Sequence, residues 1–600
     1  MGCFNGENLI DKVKKLNIKD LDNLAQDIRE EIISTTYENG GHLASNLGIV
    51  ETTIALYRVF DFPKDKLIFD VGHQCYAHKI LSGRAKDFST IRTHGGLSGF
   101  PDITESEYDA FSVGHAGTSM AAGIGYCNAR DKKGEDYSVV AVVGDGSVGN
   151  GLNLEALSSS NVKPKNFIVI LNDNGMSISK NKNGFYQLVS KGTTKRGYLG
   201  GKKAITKIFG NSFVTRALAA FRNFIKRVIN KNSYFENHGF KYVGVVDGND
   251  IKELVAILER VKRVAKDRAV LVHVKTTKGK GYEKAEANAD VYHGVGAHLQ
   301  NDSGTFSLAL GNKLNELIDK DEKVVAITAA MKDGTGLKTV EEKYPENFVD
   351  VGIAEEYAVT LAAGMAAGGL KPFVAVYSTF MQRAYDQIVH DVCLQNLPVV
   401  FCLDRAGLVG KDGKTHQGVF DLSFLTHVPN MNVFAPNSVE ELEDIIDYAI
   451  ELKAPVAIRY PKNAGVTDAH TSIKKELWRT VKDGTKVTIL AVGPNALKVS
   501  TEYAKKHDGM GVVSARSIKP LDEKVLDRIK DTAIVTVEEN SVIGGFGSMV
   551  AGYYNGKGFI VKIKNVGVKD EFVGHGDISD QFEENGITES GIDVAIKQMI

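Results

Sequence analysis

The sequence of 600 residues predicts an α/β protein of three domains with mostly parallel sheets, and three observations carry that prediction. Short β-branched runs alternate with helix-patterned stretches along the whole chain. Val139–Val143 (VVAVV) and Phe167–Leu171 (FIVIL) are apolar throughout, as strands covered on both faces must be. The chain is also too long for one hydrophobic core, and length alone suggests roughly three or four domains.

The first domain is expected over 1–302. Its two apolar strands run into Gly144-Asp145-Gly146 and Asn172-Asp173-Asn174, and in open parallel sheets ligands bind at the carboxyl ends of strands. From 184 to 237 the chain turns basic, glycine-punctuated and weakly periodic, an excursion from the sheet. Order returns with a strand at Tyr242–Asp247, a helix at Asp250–Ala265 and a strand at Val270–Val274. The polar, aperiodic stretch 279–302 reads as a linker or an ordered lid. A second domain is expected over 303–475, with strands at Val324–Thr328, Phe348–Ile353, Phe373–Tyr377, Val399–Leu403 and Val456–Arg459. A third, 476–600, opens with Val487–Val492, a helix from Asn495 and the strand Ile534–Glu538.

Composition narrows the function classes. With 43% apolar and 24% charged residues and a net charge of −1, the chain offers no electrostatic case for nucleic acid or a membrane surface. Five cysteines, none in a Cys-x-x-Cys pair, give neither a zinc site nor a disulfide framework. No signal pattern or bilayer-spanning apolar run is present, so a cytoplasmic location is expected.

Two constellations carry chemistry. Asp145 supplies an anionic oxygen and Asn174 a neutral one, a donor set suited to Mg²⁺ holding a cofactor diphosphate, with flanking glycines letting backbone approach the phosphates. Alone, GDG would be a tight turn; the NDN turn after the next apolar run favours the metal reading. The second is Gly352-Ile353-Ala354-Glu355-Glu356-Tyr357, leading into AVTLAAGMAAGG, a helix expected to be buried almost all round. An acid at a helix start is ordinarily a partner of the helix dipole. Thiamine chemistry gives a sharper reason, since a carboxyl bonded to the aminopyrimidine ring sets the tautomer that can remove the thiazolium proton. Both Glu355 and Glu356 fit by spacing.

Five further stretches complete a pattern: GGHLASNLGIVE (Gly40–Glu51), DVGHQ (Asp70–Gln74), VGHAGTS (Val113–Ser119), YSTFMQRAYDQ (Tyr377–Gln387) and DRAGLVGKDGKTHQGVFD (Asp404–Asp421). With GDG, NDNGMSIS and GIAEEY, and in this order, they resemble the 1-deoxy-D-xylulose-5-phosphate synthase family. The resemblance implies a diphosphate-binding, a pyrimidine-binding and a transketolase-type C-terminal domain, and a homodimer. It implies thiamine diphosphate and Mg²⁺ as cofactors, and condensation of pyruvate with glyceraldehyde 3-phosphate, with loss of CO₂, to 1-deoxyxylulose 5-phosphate. Its metal ligands fall on Asp145, Asn174 and the carbonyl of Met176. Its cofactor contacts fall on His73, Gly114, His115, Ala116, Gly146, Ser147, Asn174, Tyr282 and Glu355. His42, Asp412 and His416 match residues beside the reacting carbons, and Tyr377, Arg383, Arg405 and Arg459 the group handling the acceptor and its phosphate.

Elementary chemistry supports those residue types. Guanidinium groups grip phosphate through planar, charge-assisted hydrogen bonds, and imidazoles move protons near neutral pH. His78, His94, His390 and His427 have no such context and read as structural. Three departures from the family stand out: Ala116 and Gly117 replace two serines, Tyr357 stands where the family has histidine, and the segment between the core motifs of the first two domains is shorter and unlike the family's. They keep open two rivals, another thiamine diphosphate transferase of transketolase-like or acetoin-forming type, and a non-catalytic paralogue. A nicotinamide site is excluded, because Gly544–Met549 (GGFGSM) has the wrong spacing and reads as a strand–helix connection.

Overall fold

The computed structural model describes residues 9–159, 163–175, 233–295, 305–463, 465 and 470–599. They fall into two compact units, 1–91 with 99–298, and 92–98 with 299–600. Most of the predicted excursion lies outside the described residues; its last five, Ser233–Asn237, form a helix.

The first unit is built on β1 (Lys66–Phe69), β2 (Val139–Gly144), β3 (Phe167–Asp173), β4 (Lys241–Asp247) and β5 (Val270–Lys275), all parallel, in the order β1-β2-β3-β5-β4. Every residue of β3, and of β2 up to Val143, is buried. The helix Ile251–Ala265 buries Ile251, Leu254, Leu258, Val261 and Ala265, one stripe at helical spacing, and packs on Val50–Val59. Asp250 starts it, its Oδ1 accepting from the Glu253 N–H at 2.9 Å.

The described part of the expected linker, 279–295, is an ordered strap. Gly41 and Val295 exchange backbone hydrogen bonds of 2.7 and 2.8 Å, Ala44 N–H donates to Tyr292 O at 2.9 Å, and Gly279 N–H donates to Ala44 O at 2.8 Å. Its polar side chains conceal this from periodicity, because backbone pairing and not an apolar stripe holds it down.

The second unit carries two sheets. One joins β6 (Val324–Thr328), β7 (Phe348–Asp350), β8 (Lys371–Tyr377), β9 (Val400–Asp404), β10 (Asn432–Phe434) and β11 (Val456–Arg459), all parallel, and gains β15 (Ser517–Lys519) antiparallel on β10. The other has the order β12-β14-β13-β16-β17, from Arg479–Lys482, Met510–Ser514, Val487–Val492, Ala533–Ser541 and Ile563–Val568, with only β12 antiparallel. One core is shared by both sheets, running from Ile327 and Val376 to Leu490 and Ile534.

Two expectations are corrected. The strand predicted to reach Ile353 stops at Asp350, whose Oδ1 accepts from Ala330 N–H at 2.8 Å and Gly352 N–H at 3.0 Å and so closes a turn that Gly352, at φ 74°, can adopt. The helix Glu355–Ala367, expected to be covered almost all round, buries Ala358, Val359, Ala362, Ala363 and Ala366 but exposes Tyr357, Thr360, Gly364 and Ala367. Its composition is apolar on both faces, yet one chain covers only one of them.

Candidate active site

In the first unit, β2 and β3 pair Gly144 with Asn172, and the Asp145 N–H donates to Asn172 O at 3.0 Å, so the GDG and NDN turns leave the sheet side by side. Asp145 is only 5% exposed. Burial first, and the neighbouring Asp173 charge second, push its carboxyl well above the usual range. Lys278, also buried, is lowered to about 8 by burial, with Asp290 and Asp145 opposing. A carboxylate so unwilling to ionise alone is one that a hard cation would accommodate, and half-buried Asn174 offers a second oxygen. Met176 lies outside the described residues. Among the described residues no group of three His, Cys, Asp or Glu side chains could hold a metal, so a cation here depends on amide and backbone oxygens.

His42, His73 and His293 form a ring cluster, with centroids 5.4, 5.8 and 5.3 Å apart, and Phe100 lies 5.7 Å from His42. His293 is half-buried, and its pKa is driven well down by desolvation and then by Lys278 and its two neighbouring imidazoles. Sequence reasoning missed it, since it sits in the aperiodic strap and only tertiary folding gives it partners. Tyr282 is also on the strap, its hydroxyl 2.7 Å from that of Tyr37. Arg29 ties that loop down through Lys280 O at 2.9 Å while pairing with Glu51.

Gly114, His115 and Ala116 lead into a turn governed by Asp70, another residue without an assigned role. Its Oδ1 accepts from Gly117 N–H at 2.8 Å, and its Oδ2 accepts from the Ser119 N–H and Oγ at 3.1 and 2.8 Å. Ser147 is buried next to Gly146, and its carbonyl accepts from Asn153 Nδ2 at 2.8 Å.

In the second unit Glu355 is 2% exposed at the start of its helix, whereas Glu356 is half-buried, so the two candidates differ in burial. Burial pushes the Glu355 carboxyl up to about 7, with the Arg383 charge opposing from 3.4 Å. Tyr377 ends β8 and carries the Arg405 guanidinium 4.3 Å above its ring. Arg405 is fixed by Gly334 O at 2.9 Å and by buried Asp404 at 2.6 Å. Phe380 lies against Tyr377 at 6.0 Å and meets the ring of His416 at 5.5 Å. His416 is lowered by burial, the Asp412 charge opposing. Asp412 pairs with Arg92, a residue of the 92–98 segment that sequence reasoning passed over.

Arg459 is placed differently. Its Nε lies 3.0 Å from both oxygens of buried Asp421, and its Nη2 donates to Gly418 O at 3.3 Å and Glu539 O at 3.1 Å. Those partners make it a brace within the second unit. The four histidines read as structural have structural partners: His78 lies 2.9 Å from Tyr57 Oη and 2.8 Å from Asp109, and His94, His390 and His427 contact Glu584, Asp391 and Tyr385.

Residues 7–276 match the family model of 1-deoxy-D-xylulose-5-phosphate synthase, 303–466 the transketolase pyrimidine-binding domain and 477–592 the transketolase C-terminal domain. The 1-deoxy-D-xylulose-5-phosphate synthase of Clostridium tetani is 44% identical over 97% of both chains. The chain belongs to the 1-deoxy-D-xylulose-5-phosphate synthase family. The synthase of Clostridium perfringens (strain ATCC 13124) is 45% identical over 97% of both chains, and that of Carboxydothermus hydrogenoformans is 44% identical over 99% of this chain and 98% of its own.

Gly117 and Tyr357, two of the residues that depart from the synthase family, now have a geometry. Gly117 has φ 93°, and a Cβ there would lie 2.1 Å from Asn150 Oδ1, so the turn over Asp70 is built for glycine. Tyr357 is 58% exposed, whereas the carboxyl two residues before it is buried.

Proposed function

We propose that this member of the family condenses pyruvate with glyceraldehyde 3-phosphate, with release of CO₂, to form 1-deoxy-D-xylulose 5-phosphate. The single observation that carries the reading is Glu355, a carboxyl buried at a helix start and kept near neutrality by its surroundings. Thiamine diphosphate, when bound, supplies the nucleophilic carbon and the electron sink that decarboxylation needs. Toward it, Glu355 holds a proton at the aminopyrimidine ring nitrogen, and Asp145, Asn174 and the Met176 carbonyl hold Mg²⁺ on the diphosphate. His73, Gly114, His115, Ala116, Gly146, Ser147 and Tyr282 shape the cofactor cradle. His42, His416 and Asp412 stand in the role of proton carriers for the acceptor aldehyde. Arg383 and Arg405, with Tyr377 beneath Arg405, take the acceptor phosphate; Arg459 serves them as a brace.

The test is product analysis by mass spectrometry after incubation with pyruvate, glyceraldehyde 3-phosphate, thiamine diphosphate and Mg²⁺. The expected product is 1-deoxyxylulose 5-phosphate, with CO₂ release from pyruvate accelerated by the aldehyde. Turnover of ketose donors in place of pyruvate would make the chain a transketolase-like enzyme. Cofactor binding without any turnover would make it a non-catalytic paralogue.

The protein is proposed to work in the cytoplasm as a homodimer. Among the described residues no helix is long and apolar enough to cross a membrane. The exposed stripe Tyr357, Thr360, Gly364 and Ala367 is a smooth helical face without a charge, suited to a second copy. Gly364→Glu is expected to halve the mass seen by light scattering; an unchanged mass would remove this face from the interface.

A further inference from the structure

The Asn172-Asp173-Asn174 turn contributes Asn174 to the proposed metal site, which leaves the buried carboxylate of Asp173 without a role. A hydrogen-bonded chain stands behind it across three neighbouring strands. The Asp173 Oδ2 lies 2.9 Å from Nε2 of His273 on β5, and Nδ1 of the same ring lies 2.8 Å from the Tyr242 hydroxyl on β4. On its other side the Asp173 Oδ1 accepts from the Gly175 N–H at 3.0 Å, closing the turn that presents Asn174. A neutral imidazole with its proton on Nε2 satisfies both contacts: Tyr242 donates to Nδ1 and Nε2–H donates to the carboxylate.

Sheet register makes the chain possible. His273 is paired with Leu171 on one side and Gly244 on the other, so Asp173 and Tyr242 are its diagonal neighbours. Gly244 leaves the ring its place, since a Cβ there would come within 2.8 Å of the His273 carbonyl oxygen and 2.9 Å of its Cβ. The companion Asn172 is fixed likewise, its Oδ1 accepting from Thr276 Oγ1 at 2.7 Å. His273 has no exposed surface, Asp173 is 5% exposed and Tyr242 is half-buried, so the imidazole and carboxylate at the centre of the chain are shielded from solvent and orient rather than react.

We propose that Tyr242, His273 and Asp173 are positioning residues for the metal loop, setting the Asn174 and Asp145 oxygens at the spacing a divalent cation requires. Outer partners of metal ligands act in this way, and their loss costs about 10–100-fold in metal affinity. The inference rests on the Mg²⁺–diphosphate reading of the two turns.

The experiment is calorimetric titration of Mg²⁺ into the full-length protein held at saturating thiamine diphosphate, alongside thermal unfolding of the cofactor-free protein. His273→Ala is expected to weaken Mg²⁺ about tenfold or more. His273→Gln, which can return an N–H to the Nε2 position, is expected to recover most of that loss. Tyr242→Phe removes only the outermost hydroxyl and is expected to weaken Mg²⁺ by about threefold, a smaller share of the same effect. Should His273→Ala fail to fold, Tyr242→Phe decides: wild-type Mg²⁺ affinity in that variant overturns the proposal. Wild-type affinity in folded His273→Ala overturns it as well, and a lowered unfolding temperature with unchanged affinity shows a merely structural chain. If the unaltered protein itself takes no Mg²⁺, the reading of the two turns fails first and the inference with it, an outcome separate from a null effect of the variants.

Discussion

Replacing Glu355 by Gln tests the proposed chemistry and the electrostatics behind it together. Gln keeps the shape but can neither ionise nor hold the ring-nitrogen proton. In the folded protein the carboxyl is pushed from its ordinary 4.5 up to about 7, chiefly by burial, which outweighs the opposing Arg383 charge 3.4 Å away. At 1.36 kcal/mol per pH unit, the folded state resists ionisation by about 3 kcal/mol. Below pH 4.5 the residue is neutral in both folded and unfolded chains, and its full stabilising share is present. As pH rises through about 7 that share is lost, because only the unfolded chain ionises freely. The cofactor-free Glu355→Gln protein should therefore match the wild-type trend below pH 4.5, then gain steadily, reaching an advantage of about 3 kcal/mol above pH 7. Denaturant midpoints of both proteins from pH 4 to 8.5 measure the difference. Turnover should fall by about 10²–10⁴-fold while Mg²⁺–diphosphate binding persists. A stability difference that does not vary with pH, or wild-type turnover in the variant, would refute the assignment.

Restoring the family serine by Gly117→Ser should lower stability by about 1–3 kcal/mol, because the side chain meets Asn150 Oδ1 at a backbone angle that favours glycine; an unchanged unfolding temperature contradicts this. Arg405→Lys should raise the KM for the acceptor by about tenfold or more with little loss of stability, since a point charge replaces a planar fork. Arg459→Ala should instead destabilise by about 3–5 kcal/mol by stranding buried Asp421. Steady-state kinetics with thermal unfolding separates the two, and a KM effect confined to Arg459 would reverse their roles.

What the sequence made legible follows from how locally each feature is encoded. β2 and β3 were readable because they are buried on both faces and bear no polar residue until their ends. The GDG and NDN turns were readable because glycine and short polar side chains mark strand ends. Glu355 could not be separated from Glu356, because burial is a property of the assembled core and not of spacing. His293 and Arg92 carry no periodic signal, and each acquires its partners from residues more than two hundred positions away. Arg459 shows the converse case. The family resemblance assigns it to the acceptor phosphate, and the folded chain gives its Nε and Nη2 partners in Asp421 and two carbonyls, contacts that no linear pattern reveals.

A displaced pKa does not by itself mark a reacting group, and the second unit holds a direct comparison. Glu538 is as buried as Glu355 and is likewise pushed up to about 7 by burial. Both its oxygens are engaged by the start of the helix Phe546–Lys557: Oε2 accepts from Phe546 N–H at 2.7 Å and Oε1 from Gly547 N–H at 2.8 Å. That carboxyl closes a helix end and has no direction left in which to meet a ligand. Glu355, the first residue of its helix, meets one guanidinium at 3.4 Å and its own backbone N–H, at a helix end whose dipole suits a nearby anion. Below pH 4.5, where that carboxyl is neutral in folded and unfolded chains alike, Glu538→Gln should therefore cost about 1 kcal/mol of stability through the weakened cap, and it should leave turnover at the wild-type level. Turnover lost in folded Glu538→Gln would show that the two acids are coupled, and that burial, rather than which partners the oxygens meet, had decided their chemistry.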